Sequence, residues 1–170
     1  PENGHYVLNG TKLFTTNAVE AGVFVVVATH HNEQRTHGIN ALIVERDTVG
    51  FSINPQHGKM GMRGSSTAEL IFEDCLVPAD NCIGGYGEGW SQTMDILNTS
   101  RVGVAAQSVG LAQAAYESAV DYAGKRQVFG KNIGSFQAVG HTVVDMAVEV
   151  EAARLLVLRA ASLLDRGKPF

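Results

Sequence analysis

The first half of the chain alternates hydrophobic and polar residues over short segments that are separated by turn-forming residues. Such alternation predicts strands, because successive side chains of a strand point to opposite faces of its sheet. Asn9-Gly10, between the first two segments, is typical of a two-residue hairpin turn. The predicted strands indicate an antiparallel barrel or sandwich, and they cover residues 5–8, 12–16, 23–29, 39–45, 51–54 and 69–72.

The second half repeats its hydrophobic residues every three or four positions after Gly89, which is the period of a helix. We expect a first helix over residues 90–123 that stops at Gly124. A second helix should begin with Ser135 as its N-cap and end before Gly167. Two helices of this length should pack as an antiparallel pair and leave an apolar face for further helices or another subunit. The pattern therefore predicts an α+β fold that changes character near residue 86.

Composition narrows the function classes. Hydrophobic residues make up 45% of the 170 residues and charged residues 18%, as in a folded globular protein. The net charge of -4 gives no basic face for nucleic acid, and no apolar run is long enough to span a membrane. Two cysteines, Cys75 and Cys82, form no disulfide framework or metal motif, so a reduced intracellular protein is the simpler interpretation.

Two local features could carry chemistry on their own. His30, His31 and His37 flank the polar loop 32–36, where a metal site is conceivable, but no ligand pattern is complete and a solvated loop is favoured. The glycine-rich segment 84–89 precedes the first helix and could cradle a phosphate. Because Glu88 would repel an anion and no phosphate fingerprint is present, we expect a joint between domains instead.

Residues 59–78 form the most specific motif, a turn followed by a strand that leaves through Val77-Pro78. This motif resembles the acyl-CoA dehydrogenase family, whose middle domain carries a Gly-Met-Arg-Gly-Ser-x-Thr turn before such a strand. Further segments resemble the same family at its spacing: Tyr6-Val7-Leu8-Asn9-Gly10-Thr11-Lys12, Thr16-Asn17-Ala18, Gly87-Glu88-Gly89-Trp90, Arg126-Gln127-Val128-Phe129-Gly130-Lys131, Phe136-Gln137, Asp145-Met146 and Ala153-Arg154.

The resemblance implies a fold and an activity. Residues 1–86 would be most of a middle β-barrel domain, and residues 87–170 the first two helices of a C-terminal four-helix domain, so we expect an internal piece of a longer protein. The implied enzyme is an FAD-dependent homotetramer or homodimer of fatty acid β-oxidation. It would oxidise acyl-CoA to trans-2-enoyl-CoA and pass electrons to electron-transfer flavoprotein, in a bacterial cytoplasm or mitochondrial matrix.

The resemblance also implies roles for individual residues. Phe14, where the family often has Trp, would pack on the isoalloxazine ring of FAD, and Thr16 would bond its polar edge. Arg126, Phe129 and Gln137 would reach the FAD of a neighbouring subunit, with Arg126 suited to the pyrophosphate. The acyl-CoA cavity would be lined from one helical face, on which Asn98 stands where many members have Asp: Trp90, Met94, Leu97, Asn98 and Arg101.

The catalytic base is expected outside the sequence. Most family members place a Glu later in the C-terminal domain, beyond Phe170, and the branch that places it before the arginine has no counterpart here because Ser100 stands there. By itself the chain should be inactive and poor at holding FAD. The alternatives are an acyl-CoA oxidase, a flavin monooxygenase relative, or a non-catalytic interaction module on the same scaffold.

Overall fold

A computed structural model describes residues 3–30 and 36–170, which form two compact units, Pro1–Asp95 and Ile96–Phe170. The predicted α+β order, antiparallel sheets followed by two long helices, is confirmed. The strands and helices are β1 (His5–Thr16), β2 (Val23–Thr29), β3 (Ile39–Glu45), β4 (Phe51–Pro55), β5 (Thr67–Pro78), α1 (Gly89–Lys125), β6 (Gln127–Val128), β7 (Lys131–Asn132) and α2 (Gln137–Asp165).

The strands of the first unit form a sandwich and not a closed barrel. One sheet has the order β1-β5-β4 and the other pairs β2 with β3, and within the described ranges no strand ladder joins the two sheets. Phe24 of one sheet lies edge-on to Phe51 of the other with ring centroids 5.0 Å apart, and Phe51 stacks on Phe72 at the same distance. These rings lie in the shared core of the two sheets. Of the two predicted arrangements, the described residues form the sandwich, and no closed barrel is found among them.

The hairpin predicted at Asn9-Gly10 is wrong, because β1 runs through both residues and pairs with β5 along its length. The register shifts between Leu8 and Gly10, where β5 carries the extra residue Asp74 with φ 47°. The Asn9 side chain donates to Asp74 Oδ1 at 3.0 Å and accepts the Asp74 backbone N–H at 2.8 Å. At this β-bulge the Asn9 side-chain amide bonds to Asp74, so it is not available for the local backbone hydrogen bonds that make Asn favour turns.

The helices run antiparallel in the second unit. Arg154 of α2 donates to Gln113 Oε1 of α1 at 2.8 Å, and the earlier part of α1 shares a groove with the later part of α2. Ser135 is not the N-cap of α2: it lies in a 3₁₀ turn, its hydroxyl donates to the Asn132 carbonyl at 2.6 Å, and Phe136 takes the cap position without a side-chain bond. The predicted cap is wrong because the chain makes the β6–β7 hairpin and this turn first.

The first turn of α1 is anchored on the sandwich. Two backbone N–H groups of the glycine-rich segment already have partners: Gly87 donates to Asn40 Oδ1 of β3 at 2.9 Å, and Gly85 donates to Glu88 Oε2 within the segment at 2.7 Å. A Cβ at Gly89 would come within 2.5 Å of the Asn40 backbone, so only glycine fits there. The start of α1 thus belongs to the first compact unit, and the boundary between the two units falls inside α1, after Asp95.

Candidate functional site

Phe14 sits at a bulge near the end of β1 with its ring in solvent. The register shifts between Lys12 and Thr15, and Phe14 has φ 58°, in the left-handed region that a bulky residue rarely adopts. Its side chain is 72% exposed. An exposed aromatic ring in strained backbone gains little from the fold itself, which makes this position a candidate for ligand contact.

Thr16 ends the same strand and is held from two sides. It pairs with Thr67, the first residue of β5, and the following Asn17 donates its backbone N–H to the Ser66 carbonyl at 3.0 Å. The Ser66 hydroxyl in turn hydrogen-bonds the Glu20 carboxylate. Thr16 is exposed, so its hydroxyl is available at a backbone position that these contacts fix.

Two basic side chains stabilise this end of the sandwich by hydrogen bonds, and the sequence analysis assigned no function to either of them. Arg46 donates to the Val19 carbonyl at 2.7 Å and to the Ala21 carbonyl at 3.0 Å, which closes the turn after Thr16. Lys59 donates to three acceptors around the loop before β5. The only sequence signal for Lys59 was its position at the start of the most specific motif; Arg46 had none.

Phe129, at the β6–β7 hairpin, is a second exposed aromatic residue in left-handed backbone. It has φ 53° and is 91% exposed. Its ring lies edge-on to Phe136 with centroids 6.5 Å apart, and the Lys131 ammonium lies 4.2 Å from the Phe136 centroid. Arg126 and Gln137 are exposed at the two ends of this segment, and neither side chain has a hydrogen-bond or ionic partner in the part of the chain that the structure describes.

A groove of about 590 Å³ lies between α1 and α2. Asn98 and Arg101 lie on its wall, and the guanidinium donates to Asn98 Oδ1 at 2.9 Å. Within the described residues, the groove lining contains no Asp or Glu side chain. The other lining residues are mostly apolar: Val102, Ala105, Leu156, Val157, Ala160, Pro169 and Phe170.

The structure brings only part of the predicted substrate face together. Leu97 is 39% exposed and is not among the residues that line the groove. Trp90 and Met94 belong to the other compact unit, in which Trp90 is 43% exposed and Met94 is half-buried. These three side chains share a face of α1 by helical spacing, since they lie at intervals of three and four residues.

Of the other sequence features, the histidine loop lies largely outside the described residues, which omit residues 31–35. In residues 3–30 and 36–170, no cluster of three or more His, Cys, Asp or Glu is arranged to hold a metal ion. None of the helices described is both long enough and apolar enough to cross a membrane. What remains is a set of groups suited to a flat ring and to phosphate: two presented aromatic side chains, a threonine hydroxyl and an unpaired guanidinium.

Comparison with known proteins identifies relatives along the whole chain. The acyl-CoA dehydrogenase middle domain matches residues 1–75, and the acyl-CoA dehydrogenase C-terminal domain matches residues 87–170. Acryloyl-CoA reductase (NADH) of Anaerotignum propionicum is 46% identical over 99% of this chain and 43% of its own length.

Two solved structures are similarly close. Butyryl-CoA dehydrogenase from Megasphaera elsdenii has a TM-score of 0.93 and 42% identity, over 100% of this chain and 44% of its own. A chain in the structure described as the electron transferring flavoprotein of Acidaminococcus fermentans has a TM-score of 0.92 and 46% identity, over 100% of this chain and 45% of its own. The chain thus spans less than half the length of each of these proteins.

Proposed function

The chain belongs to the acyl-CoA dehydrogenase family, and from this premise we propose that the complete protein carrying it is an FAD-dependent enzyme that oxidises acyl-CoA to trans-2-enoyl-CoA. The observation that carries the proposal is that the two domain models match in order while the positions inferred for FAD are presented to solvent: Phe14, Thr16, Arg126, Phe129 and Gln137. We place the domain boundary between residues 86 and 87.

In the proposed cofactor site, each exposed side chain binds a different part of FAD. FAD, when bound, would accept a hydride from the substrate β-carbon. Phe14 supplies a ring for stacking, and Thr16 a hydroxyl that can bond the polar edge of the isoalloxazine. In a homotetramer or homodimer, Arg126 would meet the pyrophosphate of a neighbouring copy's FAD, with Phe129 and Gln137 beside it. The absence of any competing side-chain partner for Arg126 in the described residues supports this assignment.

The proposed acyl-CoA site lies along α1 and includes Trp90, Met94, Leu97, Asn98 and Arg101. Arg101 is held by Asn98 at 2.9 Å in a groove whose described lining has no Asp or Glu side chain. Arg101 is exposed, and its bond to Asn98 leaves further guanidinium N–H groups that can bind a carboxylate. We therefore infer that the base that removes the α-proton, a carboxylate, comes from outside this chain and approaches Arg101.

The rest of the proposal concerns the electron acceptor, the direction of the reaction and the cellular location. Electron-transfer flavoprotein is the proposed electron acceptor, and the relative found in a structure described by that name supports it. A second candidate is the reverse reaction, reduction of a 2-enoyl-CoA, because a 46% identical relative is an acryloyl-CoA reductase. For location we propose a bacterial cytoplasm or a mitochondrial matrix.

The test is an absorbance spectrum of the complete protein, recorded anaerobically before and after addition of acyl-CoAs of several chain lengths. A flavin band that one of them bleaches supports the dehydrogenase half-reaction. If acyl-CoAs leave the band unchanged while NADH and a 2-enoyl-CoA reduce and reoxidise it, the reductase is favoured. Oxygen consumption during turnover would favour an oxidase, and a protein that takes up no FAD would overturn the proposal in favour of an interaction module.

A further inference from the structure

Lys59 is a half-buried lysine whose ammonium group donates to the loop that follows it and to the first residue of β5. It donates to the Met62 carbonyl at 2.8 Å, to the Thr67 hydroxyl at 3.0 Å, and to the Ser65 carbonyl. A lysine ammonium has three N–H donors, so these acceptors satisfy all of them. Within the described residues Lys59 forms no salt bridge, and its charge rests on backbone and hydroxyl oxygens alone.

The loop that Lys59 gathers, residues 60–66, gains little from hydrophobic burial. Met60 is 98% exposed and Met62 is 80% exposed with φ 51°. Arg63, in the middle of the loop, also binds back to its start, since its Nε donates to the Lys59 carbonyl at 3.1 Å. Because apolar contacts do not fix this segment, its conformation depends on hydrogen bonds, and three of these come from the Lys59 ammonium.

The same loop meets the strand end that presents Phe14 and Thr16. Thr67, an acceptor for Lys59, is the register partner of Thr16. Ser65, whose carbonyl also accepts from Lys59, donates its hydroxyl to Asn17 Oδ1 at 3.4 Å, and the next carbonyl accepts the Asn17 backbone N–H at 3.0 Å. A continuous set of hydrogen bonds therefore links the Lys59 ammonium to the residue that follows Thr16.

We propose that Lys59 is a positioning residue of the flavin-ring site, which holds the 60–66 loop and thereby fixes the backbone that presents Phe14 and Thr16. This inference rests on the proposed function for its ligand, since it takes that ligand to be the isoalloxazine ring of FAD. Lys59 has no free N–H to offer the ring, so it acts through the loop and strand end and does not bind the ligand itself.

The first test needs no flavin. Trypsin cuts after Arg63 only when the loop opens, so cleavage between Arg63 and Gly64 in the apo form of the complete protein reports the hold of Lys59 on the loop. Lys59→Met should raise the rate of this cleavage about tenfold, as followed by mass spectrometry. Lys12→Met is the matched control, because Lys12 lies in the same unit and donates only to the Val27 carbonyl, at 2.7 Å. Equal cleavage of wild type and Lys59→Met would overturn the inference.

The second test measures whether the variant loses affinity for the flavin ring or for the ADP half of FAD. Lys59→Met should raise the Kd for FAD about tenfold and shift the visible band of bound flavin, with the Kd for ADP unchanged, since ADP lacks the ring. Lys12→Met should match wild type in all three measurements. A parallel loss of FAD and ADP binding would indicate general destabilisation, and an equal loss in both lysine variants would indicate bulk charge; either result overturns the inference.

A milder variant covers the case in which Lys59→Met does not fold. Thr67→Val removes one of the three acceptors at nearly constant volume, and it should give a smaller change of the same kind, about threefold in the Kd for FAD. An unchanged Kd in a folded Thr67→Val variant would count against the inference. If wild-type protein itself binds no FAD, the proposed function fails, while the trypsin result still decides whether Lys59 holds the loop.

Discussion

Two substitutions of Phe14 should separate the effect of its strained backbone on stability from the effect of its ring on flavin binding. In Phe14→Ala the ring is lost but the left-handed backbone at φ 58° remains strained, whereas in Phe14→Gly both are removed. A left-handed conformation costs a non-glycine residue about 1–2 kcal/mol, and the flexibility of glycine in the unfolded chain offsets about 0.4–1 kcal/mol of that gain. We expect Phe14→Gly to be more stable than Phe14→Ala by about 0.8 kcal/mol, the difference between the midpoints of these two ranges.

The two variants should lose flavin binding equally. The Phe14 side chain is 72% exposed, so of about 200 Å² of ring surface roughly 140 Å² is free to contact a ligand. Stacking on one face would cover about half of that area and contribute about 1.8 kcal/mol at 25 cal/mol per Å². The Kd for FAD should therefore rise by about 20-fold in each variant.

The assay combines a titration with a melting curve. FAD is added to the apo form of the complete protein while flavin fluorescence is followed, and the melting temperature of each apo variant is recorded at the same protein concentration. An unchanged Kd in both variants would refute the assignment of Phe14 to the flavin ring. A glycine variant that melts below the alanine variant would refute the claim that the backbone at this bulge is strained.

Three other predictions test separate features. Arg126→Met should weaken FAD binding about tenfold, more than Arg126→Lys, with no change in apo melting temperature, because Arg126 has no side-chain partner in the described residues. A double-mutant cycle of Gln113→Leu and Arg154→Met should give a coupling energy of about 0.5–1.5 kcal/mol in melting experiments, and additivity would contradict the 2.8 Å bond between α1 and α2. Burial raises the pKa of the Cys75 thiol, so folded protein should lose stability as pH rises above the unfolded value of about 8.5, and Cys75→Ala should flatten this loss between pH 8 and 10.

Elements whose hydrophobic pattern and flanking turns agree could be predicted from the sequence. Residues 23–29 and 39–45 become β2 and β3 with unchanged bounds, because β2 buries alternate apolar residues, β3 is buried along most of its length, and the two strands pair in simple register. Asn9-Gly10 failed because its turn propensity was outweighed by a contact 65 residues away, the pair with Asp74. Local propensity cannot reveal such a contact, since neither residue alone signals a bulge.

For the candidate site, sequence motifs could name individual residues, but they could not give backbone angles or contacts, which depend on the fold. Arg126, Phe129 and Asn98 could be named from motifs, and the structure then gave their exposure and contacts. The positive φ angles of Phe14 and Phe129 could not be foreseen, because phenylalanine has no preference for left-handed backbone. The hold of Lys59 on its loop could not be foreseen either, because two of its three acceptors are backbone carbonyls, which residue type does not signal.

The two phenylalanines support one physical account of why the chain tolerates these positions. Each ring is mostly in solvent and each backbone is strained, so neither residue adds stability to the unit that carries it. A group that stacks on the Phe14 ring would contribute about 1.8 kcal/mol, which is about as much as a left-handed backbone costs. FAD should therefore raise the melting temperature of wild type more than that of Phe14→Gly, because only wild type presents the ring. Equal shifts at the same FAD concentration would show that the Phe14 ring has no part in cofactor binding.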